Sequence, residues 1–423
     1  MKHVFILLAA LTLGGATLTA QDYMVPELAD ALREDRMRCG GNLIPYSHGD
    51  LTETPAPRGY KPFYISHYAR HGSRHTWGDK GYLYVLDILG KADSLGILSP
   101  AGRKVMDETL MVMEAWDGMD GRLSQRGVRE HQEMAHRMVK RFPEVFRGSP
   151  RIRAIGSTVQ RSLISMNAFT TAIAADRPRT RWTMDTGEKF MNYIGDTGHA
   201  TPDVKELRAT IKDRKWDFQA DTSYVLGRLF TDSLAAARLV PEVNKFNSAL
   251  FNVATITRCW DIEDYILDEL SFEWLYQTTS NDSHYVFAKY GNAAEITRER
   301  LASAHELADD ILAKADEVIS SGEYAVDLRF GHDYPLHTLV AYIGIEGPGS
   351  KLAFDEIDKY WWQWRELCMG SNLQMIFYRN KAGRVLVKFL YQEQERMLRG
   401  LESVSGPYYD WETVRANFDG FRR

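Results

Sequence analysis

Pro62-Phe63-Tyr64-Ile65-Ser66-His67-Tyr68, running through Ala69 into Arg70-His71-Gly72-Ser73-Arg74, is the stretch on which the reading of this chain turns. Its first seven residues are rich in aromatic and β-branched types and read as a strand. The five that end it hold a histidine between two arginines. Each guanidinium presents a rigid fork of donors that matches phosphate oxygens. The same positive charge disfavours the imidazolium, which leaves the His71 ring neutral, with a nitrogen lone pair to act as nucleophile. The pentapeptide reads as a phosphoryl-transfer site at the end of a strand. The competing reading is a surface turn whose arginines pair with nearby carboxylates, and the rest of the chain decides between them.

Two further β-like runs end in polar clusters. Arg151-Ile152-Arg153-Ala154-Ile155 stops at Gly156-Ser157-Thr158, whose hydroxyls are placed to cap a helix starting near Val159. Asp327-Leu328-Arg329-Phe330 stops at Gly331-His332-Asp333, and a helical pattern resumes from His337. In an open α/β sheet, ligands bind beyond the carboxyl ends of the strands, where all three clusters fall. The outer thirds of the chain alternate strand-like and helical segments, whereas the middle is mostly helical. The expected fold is therefore α/β, a mainly parallel sheet flanked by helices, with a largely helical insertion. The expected α/β domain takes residues 21–184 and 322–423, and the insertion takes 185–321. Within the latter, Leu301, Ala304, Ala308, Ile311, Ala315 and Val318 mark one buried helix face, with Gly322 as its C-terminal cap. Gln374 to Tyr378 and Val385 to Leu390 read as a hairpin.

Phosphoryl transfer needs a nucleophile, cations on the non-bridging oxygens and an acid for the leaving group. His71 supplies the first, and Arg70 and Arg74 begin the second. Arg161 lies about one helical turn beyond Ser157 and Thr158, so its guanidinium reaches back to the sheet edge. His332 offers a hydrogen bond to a phosphoryl oxygen, and Asp333 a carboxyl group to protonate the departing alkoxide. That acid works best below neutral pH, because an unperturbed Asp titrates near ~4.

The composition narrows the context. With 423 residues the chain builds a large core, and a formal net charge of −5 supplies no field for steering nucleic acid. An anionic ligand has to meet a local basic site. Met1-Lys2-His3, an apolar run from Val4 to Ala16, and Ala20 before Gln21-Asp22 form a secretory signal peptide, with cleavage expected after Ala20. A periplasmic or secreted location follows, without a lipid anchor or a later membrane span. The three cysteines, Cys39, Cys259 and Cys368, allow at most one disulfide and do not make a disulfide scaffold. No metal motif is present, since His131 and His136 stand five apart and share no helical face. The glycine-rich stretch from Gly344 to Lys351 lacks the ending of a phosphate-binding loop and reads as a turn.

Taken together, the R-H-G-x-R core, the S-T-x-x-x-R helix entry continuing to Ser165 and Phe169, and the late G-H-D resemble the histidine phosphatase superfamily. The branch is the one holding histidine acid phosphatases, phytases and multiple inositol-polyphosphate phosphatases. Leu123-Ser124-Gln125-Arg126-Gly127-Val128-Arg129-Glu130-His131 is similar to the L-[ST]-x-x-G-x-x-x-[HL] segment of that branch. The match runs in order from about Tyr64 to beyond Asp333. The resemblance implies that His71 attacks phosphorus to form a phosphohistidine, that Arg70, Arg74, Arg161 and His332 hold the phosphoryl oxygens, and that Asp333 protonates the leaving group. It implies no metal and no cofactor, and a helical insertion forming a lid. Two departures bear on the substrate. His75-Thr76 follows Arg74 where acid phosphatases and phytases usually carry a proline, and Gly331-His332-Asp333-Tyr334 replaces the H-A-E of inositol-polyphosphate phosphatases.

The expected ligand is a small phosphate ester, with inositol polyphosphates including phytate favoured. Lys205, Arg208, Lys212 and Lys215 form a basic stripe on an amphipathic helix and are candidates for extra phosphates, as are His75 and Lys80 near the nucleophile. A phosphatase of sugar phosphates, nucleotides or other small monoesters is the first alternative, and a non-catalytic phospho-ligand binding protein the second. Oligomeric state is not readable from these patterns.

Overall fold

The computed structural model describes residues 24–195, 220–296 and 298–420. The signal peptide and the basic stripe of residues 205–215 both lie outside them. Ten strands occur among the described residues: β1 (Lys61–Arg70), β2 (Arg151–Gly156), β3 (Arg181–Thr186), β4 (Asn292–Ala293), β5 (Val326–Gly331), β6 (Lys351–Leu352), β7 (Asn372–Arg379), β8 (Val385–Tyr391), β9 (Gln394–Arg396) and β10 (Tyr408–Asp410). The main sheet has the order β10-β8-β7-β1-β5-β2-β3, with β9 paired to β8. It is mixed. β1, β5, β2 and β3 run parallel. On the other side of β1, the strands β7, β8, β9 and β10 form an antiparallel extension that includes the expected hairpin.

The alternation of side chains along β1 sorts the core into two layers. Tyr64 and Tyr68 face one way, into a cluster with Leu307, Ile311, Leu339 and Trp411. Ile65 and Ala69 face the other, against Met134 and Met138 of the helix Gln125–Arg141 and Phe169 of the helix Gln160–Asp176. Both faces are covered, and the polar residues that β5 alternates with its apolar ones are held as ion pairs, Asp327 with Arg153 and Arg329 with Asp310.

A third cluster is helical. Leu28 and Leu32, the residues from Tyr82 to Ala92, and apolar positions from Val225 to Tyr276 share one core. Within 185–321, therefore, residues 225–276 pack with the N-terminal helix and with 82–112, whereas the helix His305–Ser321 lies against the sheet. Of the expected apolar face, Ala308, Ile311, Ala315 and Val318 are buried on that helix, whereas Leu301 and Ala304, also buried, belong to the 3-10 segment Arg298–Ala304 before it. The helix ends at Gly322 in the left-handed conformation, φ +64°. β3 runs from 181 to 186 and so crosses the position 184/185.

One local expectation is corrected. The helix after β2 begins at Gln160 with Val159 as its N-cap and no side-chain cap. Ser157 is occupied elsewhere. All three cysteines are buried thiols without a disulfide.

Candidate active site

The parallel register brings three strand ends to one edge. Arg70 stands beside Gly331, and Gly156 beside Phe330, so His71, Ser157 and His332 emerge together where their strands stop. The backbone fastens them: His71 N donates to Gly331 O at 3.0 Å, Ser157 N to Phe330 O at 2.9 Å, and Gly370 N to His71 O at 3.0 Å.

The pentapeptide loop rests on the start of the helix Gln125–Arg141, backbone against backbone. A Cβ on Gly72 would stand 2.6 Å from Gly127 O, and one on Gly127 would stand 2.3 Å from Ser73 O. Ser73 O accepts from Ser124 N at 2.9 Å and from Ser124 Oγ at 3.1 Å. Buried Glu130 grips the same residue from below, accepting from Ser73 N at 2.7 Å and Ser73 Oγ at 2.6 Å, and from Tyr46 N at 3.1 Å. Gly72 N donates to Ser165 Oγ at 3.1 Å. The segment Leu123 to His131 thus serves as the floor under the loop that carries His71.

Hydrogen-bond partners assign both histidine tautomers. His71 Nδ1 lies 2.9 Å from Gly72 O, which only accepts, so Nδ1 carries the proton and Nε2 keeps its lone pair. His332 Nδ1 lies 3.4 Å from an Arg161 Nη, which only donates, so the His332 proton sits on Nε2 and goes to Ser157 Oγ at 3.0 Å. The two rings meet edge to face with centroids 5.6 Å apart. Burial, followed by Arg70, Arg161, Arg74 and His332, holds the His71 pKa well below its ordinary value. Burial and then Arg161 push His332 down to about 3. Burial and the neighbouring guanidinium groups thus favour the neutral form of both rings.

Arg70 is buried and committed on several sides. One Nη donates to Asn42 O at 2.6 Å and Leu367 O at 2.8 Å, and the other pairs with Asp333 Oδ2 at 3.0 Å. Arg74 donates to His75 O at 2.8 Å. Arg161 lies 5.0 Å over the ring of Trp77, which is half exposed. Asp333 opens the helix Asp333–Ile343. Its Oδ1 accepts from Tyr334 N at 3.1 Å, and its Oδ2 accepts from Asn42 Nδ2 at 2.7 Å as well as from Arg70. Burial raises its pKa, but Arg70, His332 and Arg74 outweigh that and hold it below the ordinary carboxylate value.

His71, Arg70, Arg74, Arg161, His332 and Asp333 are thus brought to one place. His75 is not: its side chain turns away into the helical layer, edge-on to Tyr82 at 5.9 Å and against Trp260 at 5.5 Å. Lys80 stands exposed on a turn at φ +45°. Asn42, Glu130, Ser157 and Ser165 enter the site or its floor without having been singled out as site residues. Among the described residues, no group of three or more His, Cys, Asp or Glu side chains is arranged to hold a metal ion.

An α/β sheet with a buried histidine among three arginines at its carboxyl edge defines a protein suited to holding a compact anion. The profile of the histidine phosphatase superfamily (branch 2) matches residues 68–392, and the chain belongs to that family; it is a hydrolase of the phosphatase class. Its fold is similar to that of Bifidobacterium longum multiple inositol polyphosphate phosphatase. The complex with inositol hexasulfate gives a TM-score of 0.67 at 16% identity, covering 90% of this chain and 97% of that one. The complex with phosphate gives 0.68 at 17%, with the same coverage. The phytase from D. castellii gives 0.65 at 14%, covering 95% and 88%. A comparison with curated protein sequences found no match.

Proposed function

We propose that this protein is an exported phosphomonoesterase that works through a phosphohistidine at His71, with inositol polyphosphates, phytate among them, as its substrates. The observation that carries the reading is the His71 ring, fixed by Gly72 O with its Nε2 lone pair kept, buried beside three guanidinium groups. Nε2 attacks phosphorus, the ester P–O bond breaks, and Asp333 gives its proton to the departing alkoxide. Water then attacks the phosphohistidine and returns a proton to Asp333, which releases phosphate and restores Nε2. Arg70, Arg74 and Arg161 hold the non-bridging oxygens, whose charge grows at the transition state. His332 belongs to the same shell. Its Nε2 proton, donated to Ser157 Oγ in this structure, is the one it has to offer a phosphoryl oxygen.

Arg70 links binding to acid catalysis. Its guanidinium stabilises the Asp333 carboxylate, so a phosphoryl dianion that draws on the same charge releases Asp333 toward its protonated form. Export rests on the residues before Gln21; among the described residues no helix is long and apolar enough to cross a membrane. One observation favours the small-monoester alternative: His75 is enclosed by Tyr82 and Trp260 and so is not offered to a second phosphate.

The test is phosphate release from myo-inositol hexakisphosphate by the chain from Gln21 onward, in EDTA, from acid to neutral pH, with His71→Ala as the blank. Turnover that disappears in the variant supports both the histidine chemistry and the substrate. No release, with an aryl phosphate still cleaved in a His71-dependent way, moves the substrate to small monoesters. Activity that survives His71→Ala refutes the mechanism.

A further inference from the structure

Asn42 belongs to no motif and lies ahead of residue 68, where the family match begins. It nevertheless ends on the carboxyl group assigned above as the acid. It sits near the end of the 3-10 segment Arg36–Leu43, and the residue before it makes the turn. Gly41 has φ +56° and ψ −126°, a region open essentially to glycine, and a Cβ there would stand 2.5 Å from Gln363 Oε1. The conformation calls for glycine at 41, and a larger residue would also have to displace the Gln363 amide. The turn sends the next side chain, Asn42, toward the sheet edge.

There Asn42 is held by its main chain and works with its side chain. Arg70 donates to Asn42 O at 2.6 Å, and Asn42 Nδ2 donates to Asp333 Oδ2 at 2.7 Å. The other Arg70 Nη meets the same Oδ2 at 3.0 Å. Asn42 and Arg70, 28 positions apart and bonded to each other, thus converge on one carboxylate oxygen of Asp333, 291 positions from Asn42. Ile44 O accepts from Met369 N at 2.8 Å, which ties the strap to the loop that also holds His71 O.

We propose that Asn42 is a positioning residue for the reaction: its side-chain amide fixes the Asp333 carboxyl and sets the pH at which that group holds its proton. The inference rests on Asp333 being the acid. The charged and titratable groups around Asp333 are the arginines Arg70 and Arg74 and the His332 ring, with His337 buried in the same helix. From the neighbouring helix Phe272–Tyr290, Lys289 approaches the ring of Tyr334 at 5.9 Å, and Asp282 lies beside Gly41. Within this set Asn42 contributes a donor without a charge. It favours the carboxylate through one directed hydrogen bond, so its loss makes protonation easier. Asp282, pushed up to about 6 by burial, titrates in a range of its own, so any activity limb has to be assigned with Asp333→Asn.

The experiment is kcat against pH for wild type, Asn42→Leu, Asn42→Asp and Asp333→Asn, on β-glycerophosphate and on 4-nitrophenyl phosphate. The alkyl ester needs a proton on its leaving group, so wild-type kcat falls as pH rises through the titration of the acid. This limb is absent in Asp333→Asn and absent with the aryl ester. Asn42→Leu moves it upward by about one pH unit, the size of one hydrogen bond to a charged group. Asn42→Asp is nearly isosteric, so it carries the test should the leucine variant misfold. It moves the limb further in the same direction, because a carboxylate then faces Oδ2. Equal losses on both esters with an unmoved limb would reduce Asn42 to a structural part and overturn the proposal. A wild-type limb that persists in Asp333→Asn would remove the acid assignment and the Asn42 role with it, and that failure is read without touching Asn42.

Discussion

Gly127→Ala is a single methyl group placed between two stretches of backbone, and its effect follows from the distances. The new Cβ would stand 2.3 Å from Ser73 O and 2.8 Å from Ser73 N, where ordinary contact begins near 3.4 Å. Neither atom belongs to a flexible side chain, so the loop or the helix has to move by about 1 Å. Ser73 is held from below by Glu130 and from the side by Ser124, so movement also stretches those hydrogen bonds. Overpacking of this kind costs about 1–3 kcal/mol. The functional loss is larger, since Ser73 stands between His71 and Arg74 and a 1 Å misplacement of catalytic groups costs on the order of 100-fold in rate. Steady-state kcat on 4-nitrophenyl phosphate and Tm by calorimetry are the measurements. Gly90→Ala, at a helical position whose Cβ would meet nothing within 4 Å, is the control and leaves kcat unchanged. A Gly127→Ala enzyme with wild-type kcat and Tm would refute the claim that the helix start is the floor of the nucleophile loop.

Glu130→Gln replaces one of two oxygens that together accept from three donors, and so sets an amide N–H against a buried N–H or hydroxyl. A cost of about 2–4 kcal/mol is expected by urea titration, with reduced kcat, and a change under about 0.5 kcal/mol would show that the loop does not depend on this carboxylate. His337 is enclosed against Phe287 and stacked on Trp361 with centroids 5.0 Å apart, and burial pushes it down from 6.5 to about 3. Below 6.5 the unfolded chain takes up a proton that the folded chain refuses. The group's contribution is therefore complete above 6.5 and is lost as pH falls toward about 3, by up to about 1.4 kcal/mol per pH unit. His337→Leu should flatten Tm against pH in that window, and an unchanged slope would show that His337 is protonated in the fold.

The residues assigned to direct contact with phosphate were legible because their chemistry is compressed into contiguous stretches at strand ends. A nucleophile between two cations, a helix-entry arginine and a histidine-aspartate pair each need particular residue types a few positions apart, and the β-like runs before them tell where a sheet edge falls. Direction is a different matter. His75 follows Arg74 in sequence, but its ring leaves on the opposite side and is enclosed by Tyr82 and Trp260, which adjacency alone does not disclose. Ser157 is a good local cap by residue type, yet a histidine ring 175 positions away competes for its hydroxyl. Asn42 and Glu130 escape for a related reason. The task of each is to present one donor or acceptor at the right distance to a group already in place, and such a task can be filled from any segment that the fold carries past. Gly41 is the sequence trace of Asn42's position, and it gains meaning only once Gln363 is seen lying against it. The groups that react are thus confined to a few arrangements that local sequence reveals, whereas the groups that hold and tune them are fixed by tertiary contact. Variation in substrate and pH response within one family can then arise at positions like 42 and 130 without disturbing the motifs.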